Sequence, residues 1–375
     1  MGLSDEEYIA ESREATPEPT TEIIEESSVA PKLLPQSILK KQMESGASGE
    51  NNGTALTGEV IKQERVPDMQ LGKCRYVRLH DNVNYVAAGL IIRGDTDNEE
   101  VLLIQESKKS CHGKWYMPAG RVEAGETLTE AVIREVKEET GHECEVVELL
   151  SVQVQGSGWY RFAFYCKLIG GTLKDFADEH SLSANWFKVK DVAAKKISLR
   201  GRDFIRLVDE AISFRKNFVS NLPRILPLNI NMKGLFIEFM IVKYSLDETR
   251  TEVLVHKSVA DESMLLTEDQ PFPTVEFGFE YFFAAVACKC YRHLLDEGAN
   301  VVFAPSHVVR VRCHPKPMES IAHGVSLRVF CQHKKTASRA AIRSPRYHWI
   351  TVDNEKTRMD LFMDRRQYRA SLHLL

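Results

Sequence analysis

Six glutamates crowd one short stretch of the chain, "GRVEAGETLTEAVIREVKEETGH" at residues 120–142. If the stretch is helical, Glu135, Glu138 and Glu139 fall within two turns, with Glu126 and Glu130 just upstream. On a helix, positions i, i+3 and i+4 share one face, so the three carboxylates project together, and like charges so spaced weaken an isolated helix by a few tenths of a kcal/mol. A divalent cation would remove that repulsion. Hard oxygen donors suit Mg²⁺ or Mn²⁺, and Mg²⁺ is typically held by a few carboxylates together with substrate phosphates. With no Cys or His among these clustered residues, zinc is argued against. The bland alternative is a solvated, charged helix face.

The spacing is more specific than the clustering. It follows G-x₅-E-x₇-R-E-U-x-E-E-x-G through Gly120, Glu126, Arg134, Glu135, Val136, Glu138, Glu139 and Gly141. At ordinary residue usage, a chance match in a chain this long is on the order of one in a million. The pattern resembles the Nudix box, and the chain is identified by it as similar to Nudix hydrolases. The resemblance implies that Glu135 and Glu139 are metal ligands and that Glu138 binds a further metal or polarises the attacking water. It implies that the main-chain carbonyl of Ala119 completes the shell, and that Arg134 pairs with Glu126 to lock the loop against the helix. The family reaction is attack of a metal-activated water on a phosphoanhydride, in which the metal lowers the water's pKa and neutralises phosphate charge. The last box position, usually aliphatic, is His142 here, which predicts a local packing change without loss of metal binding.

The surroundings narrow the substrate. "NVNYVAAGLIIRG", "EEVLLIQESKKSCHGKWYMPAGRVEAGET" and "LLSVQVQGSGWYRFAFYCKLIGGTLK" resemble the MutT-group Nudix hydrolases that act as animal 8-oxo-dGDP phosphatases, closely over residues 80–215 and weakly beyond. This implies hydrolysis of 8-oxo-dGDP and 8-oxo-GDP to the monophosphate, with Mg²⁺ or Mn²⁺ as cofactor. Three alternatives stay open: ADP-ribose, a dinucleoside polyphosphate or a capped RNA as substrate. A non-catalytic nucleotide sensor is a reading of another class, and the intact Glu135, Glu138 and Glu139 argue against it. Glu179 stands near where many Nudix enzymes add a carboxylate beside the metal, or is a surface loop residue. Asp203 stands near where base-reading acids occur in enzymes preferring oxidised purines, or is the N-cap of the following helix. Trp159 and Tyr160 could stack on a base, although aromatic core or rim is the commoner role. Leu102 matches a pocket-lining strand position in the resembling enzymes; as a bare sequence feature it is a core leucine.

These residues need a scaffold, and the pattern supplies one. "NYVAAGLII" and "EEVLLIQES" are apolar runs of strand length joined by a turn. "GETLTEAVIREVKEETG" predicts a helix with a Thr127/Glu130 capping box and Gly141 as its left-handed C-terminal residue. Strands are predicted at "ECEVVELLSVQVQ", "GWYRFAFYCKLI" and "ANWFKV", then a helix at "GRDFIRLVDEAISFRK". This order predicts an α/β fold, and the resemblance implies a Nudix α/β/α sandwich with a mixed sheet over 72–218. "NLPRILPLNI" reads as a linker. A smaller α+β domain of unknown role and unknown protein partner is predicted over 225–375. Its elements are a strand pair at "GLFIEFMIVKYS" and "TEVLVHKSV", a helix at "TVEFGFEYFFAAVACKCYRHLLDEG", strands at "ANVVFAP", "VVRVRC" and "GVSLRVFCQH", and a solvated helix in the last 30 residues. In "CKCYRH", Cys288 and Cys290 would point about 200° apart on a helix, too far for joint metal ligation.

Residues 1–70 hold 14 acidic and 6 basic side chains and are Pro/Gly/Ser-rich, which predicts a disordered tail. The remainder carries a net charge of only +4, too little to expect nucleic-acid binding. No apolar run reaches the roughly 20 residues of a membrane span, and the acidic N-terminus shows no leader. Eight scattered cysteines predict reduced thiols in the cytoplasm or nucleus.

Overall fold

The computed structural model describes residues 67–72, 77–156, 158–201, 203–217, 224–247, 249–278, 281–296, 305–333, 341–362 and 369–374. The expected disordered tail lies outside these up to residue 66. Its last residues do not follow the expectation, because Met69–Leu71 is a strand, β1.

The first half continues with β2 (Asn84–Arg93), β3 (Glu100–Glu106), β4 (Trp115–Tyr116), β5 (Ala119–Arg121) and α1 (Leu128–Thr140). It then runs through β6 (His142–Gln155), β7 (Trp159–Gly171), β8 (Ser181–Lys188), α2 (Val189–Ala193) and α3 (Asp203–Lys216). The mixed sheet at its centre has β2 parallel to β7 and antiparallel to β5, with β6 antiparallel to β7. β3 is antiparallel to β2, β4 and β8. Helix α1 packs on one face through Ala131, Val132 and Val136, and α3 on the other through Phe204, Leu207 and Ala211. The expected α/β/α sandwich is the observed one.

The second half holds β9 (Leu228–Asn229), β10 (Gly234–Tyr244), β11 (Thr251–His256), β12 (Thr274–Phe277), α4 (Phe283–Leu294) and β13 (His307–Cys313). β14 (Gly324–Gln332), β15 (Tyr347–Thr351), α5 (Glu355–Phe362) and β16 (Ala370–Leu374) complete it. Two expectations are corrected. The helix predicted from "TVEF" onward starts only at Phe283, because Thr274–Phe277 alternates with the period of a strand and Gly278 follows it; β12 pairs with β10 and β1. The C-terminal stretch is not one solvated helix. β15 completes a three-stranded arrangement on β11, and β16 pairs in parallel with β6 over Ser151–Val154. "ANVVFAP" lies outside the described residues except for its last one, Pro305.

Through β16 the sheet runs without a break from the first half into the second, in the order β1-β12-β10-β14-β13-β16-β6-β7-β2-β3-β4. The same apolar core holds Val132 and Phe162 of the first half and Phe239, Val286 and Leu327 of the second. On α4, Cys290 is buried and Cys288 exposed, as their separation on a helix requires.

Candidate active site

Helix α1 is fixed at both ends by local chemistry. Thr127 Oγ1 accepts from the Glu130 amide at 3.1 Å, and a Glu130 carboxylate oxygen accepts from the Thr127 amide at 2.7 Å. Gly141 ends the helix at φ 76°, a conformation that costs glycine little. The apolar strip of α1 faces the sheet, and Glu135 and Glu139 sit at its margin, 8% and 3% exposed. Close approach to the sheet is possible because two facing positions are glycines. A methyl group at Gly89 would stand 2.8 Å from Val136, and one at Gly120 would overlap the Glu135 carboxylate.

Carboxylates this deep are raised in pKa. Burial lifts both Glu135 and Glu139 above the ordinary range, and for Glu139 the neighbouring Glu135 charge adds to it. Glu139 Oε2 accepts from the Ala119 amide at 2.9 Å, which joins β5 to the helix. Arg134 supplies the countercharge. Its guanidinium forks onto Glu126 at 3.0 and 2.7 Å, donates to Glu135 at 2.8 Å and to Glu138 at 3.1 Å, and reaches the Arg121 carbonyl at 3.0 Å. The Glu126–Arg134 pairing expected from the motif is thus present, and Arg134 also bridges two of the three clustered acids.

No three Asp, Glu, His or Cys side chains among the described residues converge tightly enough to hold a metal ion as they stand. The donor chemistry nevertheless fits a hard divalent cation. Glu135, Glu138 and Glu139 lie along one cavity, are all-oxygen donors, and each keeps one carboxylate oxygen free of a hydrogen bond among the described residues. Burial, which lifts both Glu135 and Glu139, disfavours their charged forms, and a bound cation would favour them.

The cavity has a volume of about 520 Å³. Besides the acids, it is lined by Lys108, Arg121 and Arg200, and by the aromatic rings of Tyr116 and Trp159. Arg161, 5% exposed, lines it as well. The Arg161 guanidinium bonds Gln153, the Tyr116 hydroxyl and Asp203, and lies 5.5 Å from the Trp159 ring centre. Arg200 bonds Glu106 and lies 4.8 Å over the Tyr116 ring. Behind α1, Lys174 donates to the Glu138 carbonyl at 3.0 Å and Ser181 to the Glu139 carbonyl at 2.7 Å, satisfying the last turn.

Most of the residues singled out from sequence come together here: Ala119, Gly120, Arg134, Glu135, Glu138, Glu139, Trp159 and Glu179 all line the cavity. Glu179 does so with a side chain 89% exposed, next to His180, whose Nδ1 is 3.6 Å from Glu138. Asp203 is the first residue of α3 and takes both the Tyr116 hydroxyl, at 2.8 Å, and Arg161 on one oxygen. Burial pushes its carboxyl up, but Arg161 and Tyr116 outweigh this and hold it below the usual range. Leu102 is a correction. It is fully buried in the core beneath α1, paired across from Trp186, and does not line the cavity. Tyr160 points likewise into the core, opposite to its neighbour Trp159. His142 is buried, 5.8 Å from the Trp186 ring, with neither ring nitrogen hydrogen-bonded among the described residues.

Sequence reasoning missed Lys108, Tyr116 as a side chain, Arg121, Arg161, His180 and Arg200. Two carried a signal: Arg121 stands inside the 120–142 motif stretch, and Arg161 is a lone charge inside the aromatic strand "GWYRFAFYC".

The model of the NUDIX domain matches residues 83–208. The chain is 62% identical over 376 residues to the Caenorhabditis elegans protein named "Putative nudix hydrolase 1", covering 100% of this chain and 99% of that one. It is 44% identical over 153 residues to 8-oxo-dGDP phosphatase NUDT18 of Homo sapiens, covering 40% of this chain and 45% of that one. It is 36% identical over 103 residues to an ADP-ribose pyrophosphatase of Methanocaldococcus jannaschii, covering 26% and 59%.

Proposed function

The chain belongs to the Nudix hydrolase family, and from that premise we propose that it is a Mg²⁺-dependent hydrolase of oxidised guanine nucleoside diphosphates, 8-oxo-dGDP and 8-oxo-GDP. The observation that carries the reading is the meeting, on one cavity, of the Glu135, Glu138 and Glu139 carboxylates with Lys108, Arg121 and Arg200 and the Tyr116 and Trp159 rings. The identity to a protein named as an 8-oxo-dGDP phosphatase, concentrated in the half that builds this cavity, supports the choice of base.

Glu135, Glu139 and the Ala119 carbonyl would hold the divalent ion, with Glu138 and Glu179 beside it. Bound there, the ion would supply an activated water and neutralise phosphate charge. The chain's own part is positional. Arg134 keeps Glu135 and Glu138 in place while Glu126 anchors the loop. Glu138 accepts the proton of the attacking water. Lys108, Arg121 and Arg200 draw the diphosphate in and offset the charge that builds on the leaving phosphate. Trp159, stiffened by Arg161, offers a ring face to the base, and Asp203 sets the Arg161 and Tyr116 side chains.

The test is a substrate panel with purified protein and Mg²⁺ or Mn²⁺, containing 8-oxo-dGDP, dGDP, ADP-ribose and a dinucleoside polyphosphate. The expected result is a kcat/KM for 8-oxo-dGDP at least about tenfold above the others, a difference of about 1.4 kcal/mol in barrier. A preference for ADP-ribose or the dinucleoside compound would replace the substrate and leave the chemistry.

A further inference from the structure

We infer that the loop joining β13 to β14, His314–His323, is a positioning element of the hydrolytic site, so that the C-terminal half is part of the catalytic device. The inference rests on the hydrolase reading above but not on the identity of the base.

The loop belongs to the antiparallel β13–β14 pair of the C-terminal half, yet its tip contacts the entry and first turn of α1. Its tip is exposed at Lys316, Met318, Glu319 and Ser320, and buried only at Pro317. The Pro317 carbonyl accepts from the Gly125 amide at 2.9 Å. Lys316 Nζ lies 3.3 Å from Glu130, on the oxygen that the capping box leaves free. Met318 Sδ faces Gly125, 3.8 Å from where a side chain there would begin. At the other end of the loop, the His323 amide donates to the Val77 carbonyl at 3.0 Å and its ring meets the Tyr85 hydroxyl at 3.2 Å. The Tyr85 carbonyl in turn accepts from the Val122 amide at 3.0 Å. The loop therefore holds the β5–α1 connection at Gly125 and the first turn of α1 at Glu130, and its end is moored to Tyr85, which holds Val122.

What lies between those points is Glu126. Gly125 is held by Pro317, Thr127 is the helix cap, and Glu126 carries the Arg134 fork that reaches Glu135 and Glu138. Slack at Gly125 passes to Glu126, then to Arg134, then to two of the three clustered carboxylates. Positional errors of about 1 Å at reacting groups cost up to about a hundredfold in rate. Stability is not the purpose of the Lys316 pair: its side chains are 57% and 50% exposed, where ion pairs contribute little.

The test uses the full chain carrying Lys316→Glu with Pro317→Gly. This pair of changes sets a negative charge against Glu130 and frees the main chain that presents the 317 carbonyl. Three readouts are taken: hydrogen exchange at the Gly125 amide, Mn²⁺ affinity by electron paramagnetic resonance, and kcat and KM on the best nucleotide of the panel. Gly125 exchange should quicken, Mn²⁺ affinity should fall about tenfold, and the rate loss should sit in kcat rather than KM, with melting shifted by only a few degrees. Should the double variant not fold, Lys316→Glu alone, with both partners at the surface, carries the same test with smaller effects. A folded variant with wild-type Mn²⁺ affinity and kcat overturns the inference, whether or not Gly125 exchange changes. If the wild-type chain leaves 8-oxo-dGDP intact, the base assignment fails alone, because exchange and Mn²⁺ affinity still decide the role of the loop.

Discussion

Arg134 concentrates more of the site on one side chain than any carboxylate does, so its removal has a calculable cost. Arg134→Ala deletes a fork onto Glu126 at 3.0 and 2.7 Å and bonds to Glu135 and Glu138 at 2.8 and 3.1 Å. It leaves Glu135, 8% exposed, without its guanidinium partner next to Glu139, 3% exposed. Removing one partner of a fully buried ion pair costs about 3–5 kcal/mol. Arg134 keeps 22% of its side chain exposed, so water reaches part of the network and about 2–3 kcal/mol of unfolding free energy is the expected loss. Arg134→Lys keeps the charge but cannot form the fork, and should lose about half as much. Urea unfolding of metal-free protein reads these values. A double-mutant cycle with Glu126→Gln then isolates the fork, with an expected coupling of about 1–3 kcal/mol. Coupling near zero would refute the reasoning, since it would mean that the bidentate pair seen in the structure does not restrain the loop.

Glu139→Gln should remove at least about nine-tenths of turnover, or 1.4 kcal/mol of barrier, while the metal-free protein becomes no less stable. Burial and Glu135 hold the Glu139 carboxyl above its unfolded value, so its contribution to stability is full below the unfolded value near 4.5 and is lost as pH rises through the folded one. The Gln variant should lack that slope in metal-free unfolding curves; an unchanged slope would contradict the assignment. His323 behaves in the opposite sense, because burial, with His314 and His80 nearby, lowers its ring from 6.5 to about 4. Stability linked to it is present above about pH 6.5 and falls toward pH 4, by at most about 3 kcal/mol, and His323→Gln should flatten that acid limb. A chain starting at Pro67 should keep its kcat and melting temperature, whereas one starting at Leu71 loses most of β1 and the Asp68–Arg346 ion pair of 3.2 Å and should melt lower. Equal melting of the two shortened chains would show that β1 adds nothing.

Local signals were legible in the sequence and non-local ones were not. Both ends of α1 follow from residues within four positions of each other, Thr127 with Glu130 and Gly141 with Lys137, so the helix is read to the residue. The pairing of β16 with β6 joins positions 220 apart, such as Ser371 and Ser151, and no local pattern announces it. Leu102 shows how a correct strand still misplaces a side chain. Alternation along β3 sends Leu102 to the core under α1 and Val101 and Leu103 to the core under α3, and neither face of the strand is the cavity. The acids of the site sat in one motif and were found together. Of the bases, Arg121 sat in that motif beside Gly120, while Lys108, Arg161 and Arg200 arrive from separate loops and strands.

Asp203 best illustrates what geometry adds to residue type. As a carboxylate near the start of α3 it could present an acceptor to the N7 proton of an oxidised guanine, and normal guanine would meet the same group with an acceptor of its own. In the fold, one oxygen already receives both the Tyr116 hydroxyl and the Arg161 guanidinium. Arg161 is spent in the same way, on Gln153, Tyr116 and Asp203, and so brings little free donor capacity to a ligand. Its remaining freedom is its flat face, which lies 5.5 Å from Trp159 and 5.9 Å from Tyr116. The cluster is thus better built to hold two rings rigid than to donate to phosphate. Rigidity of that kind matters for telling one base from another, because a mismatched polar group costs most where the walls cannot move to relieve it. In the function proposed above, phosphate capture falls to Lys108, Arg121 and Arg200, which are more exposed. The cavity divides between an aromatic part, tied down by Asp203 through Arg161 and Tyr116, and a charged part where the Nudix carboxylates meet Lys108, Arg121 and Arg200.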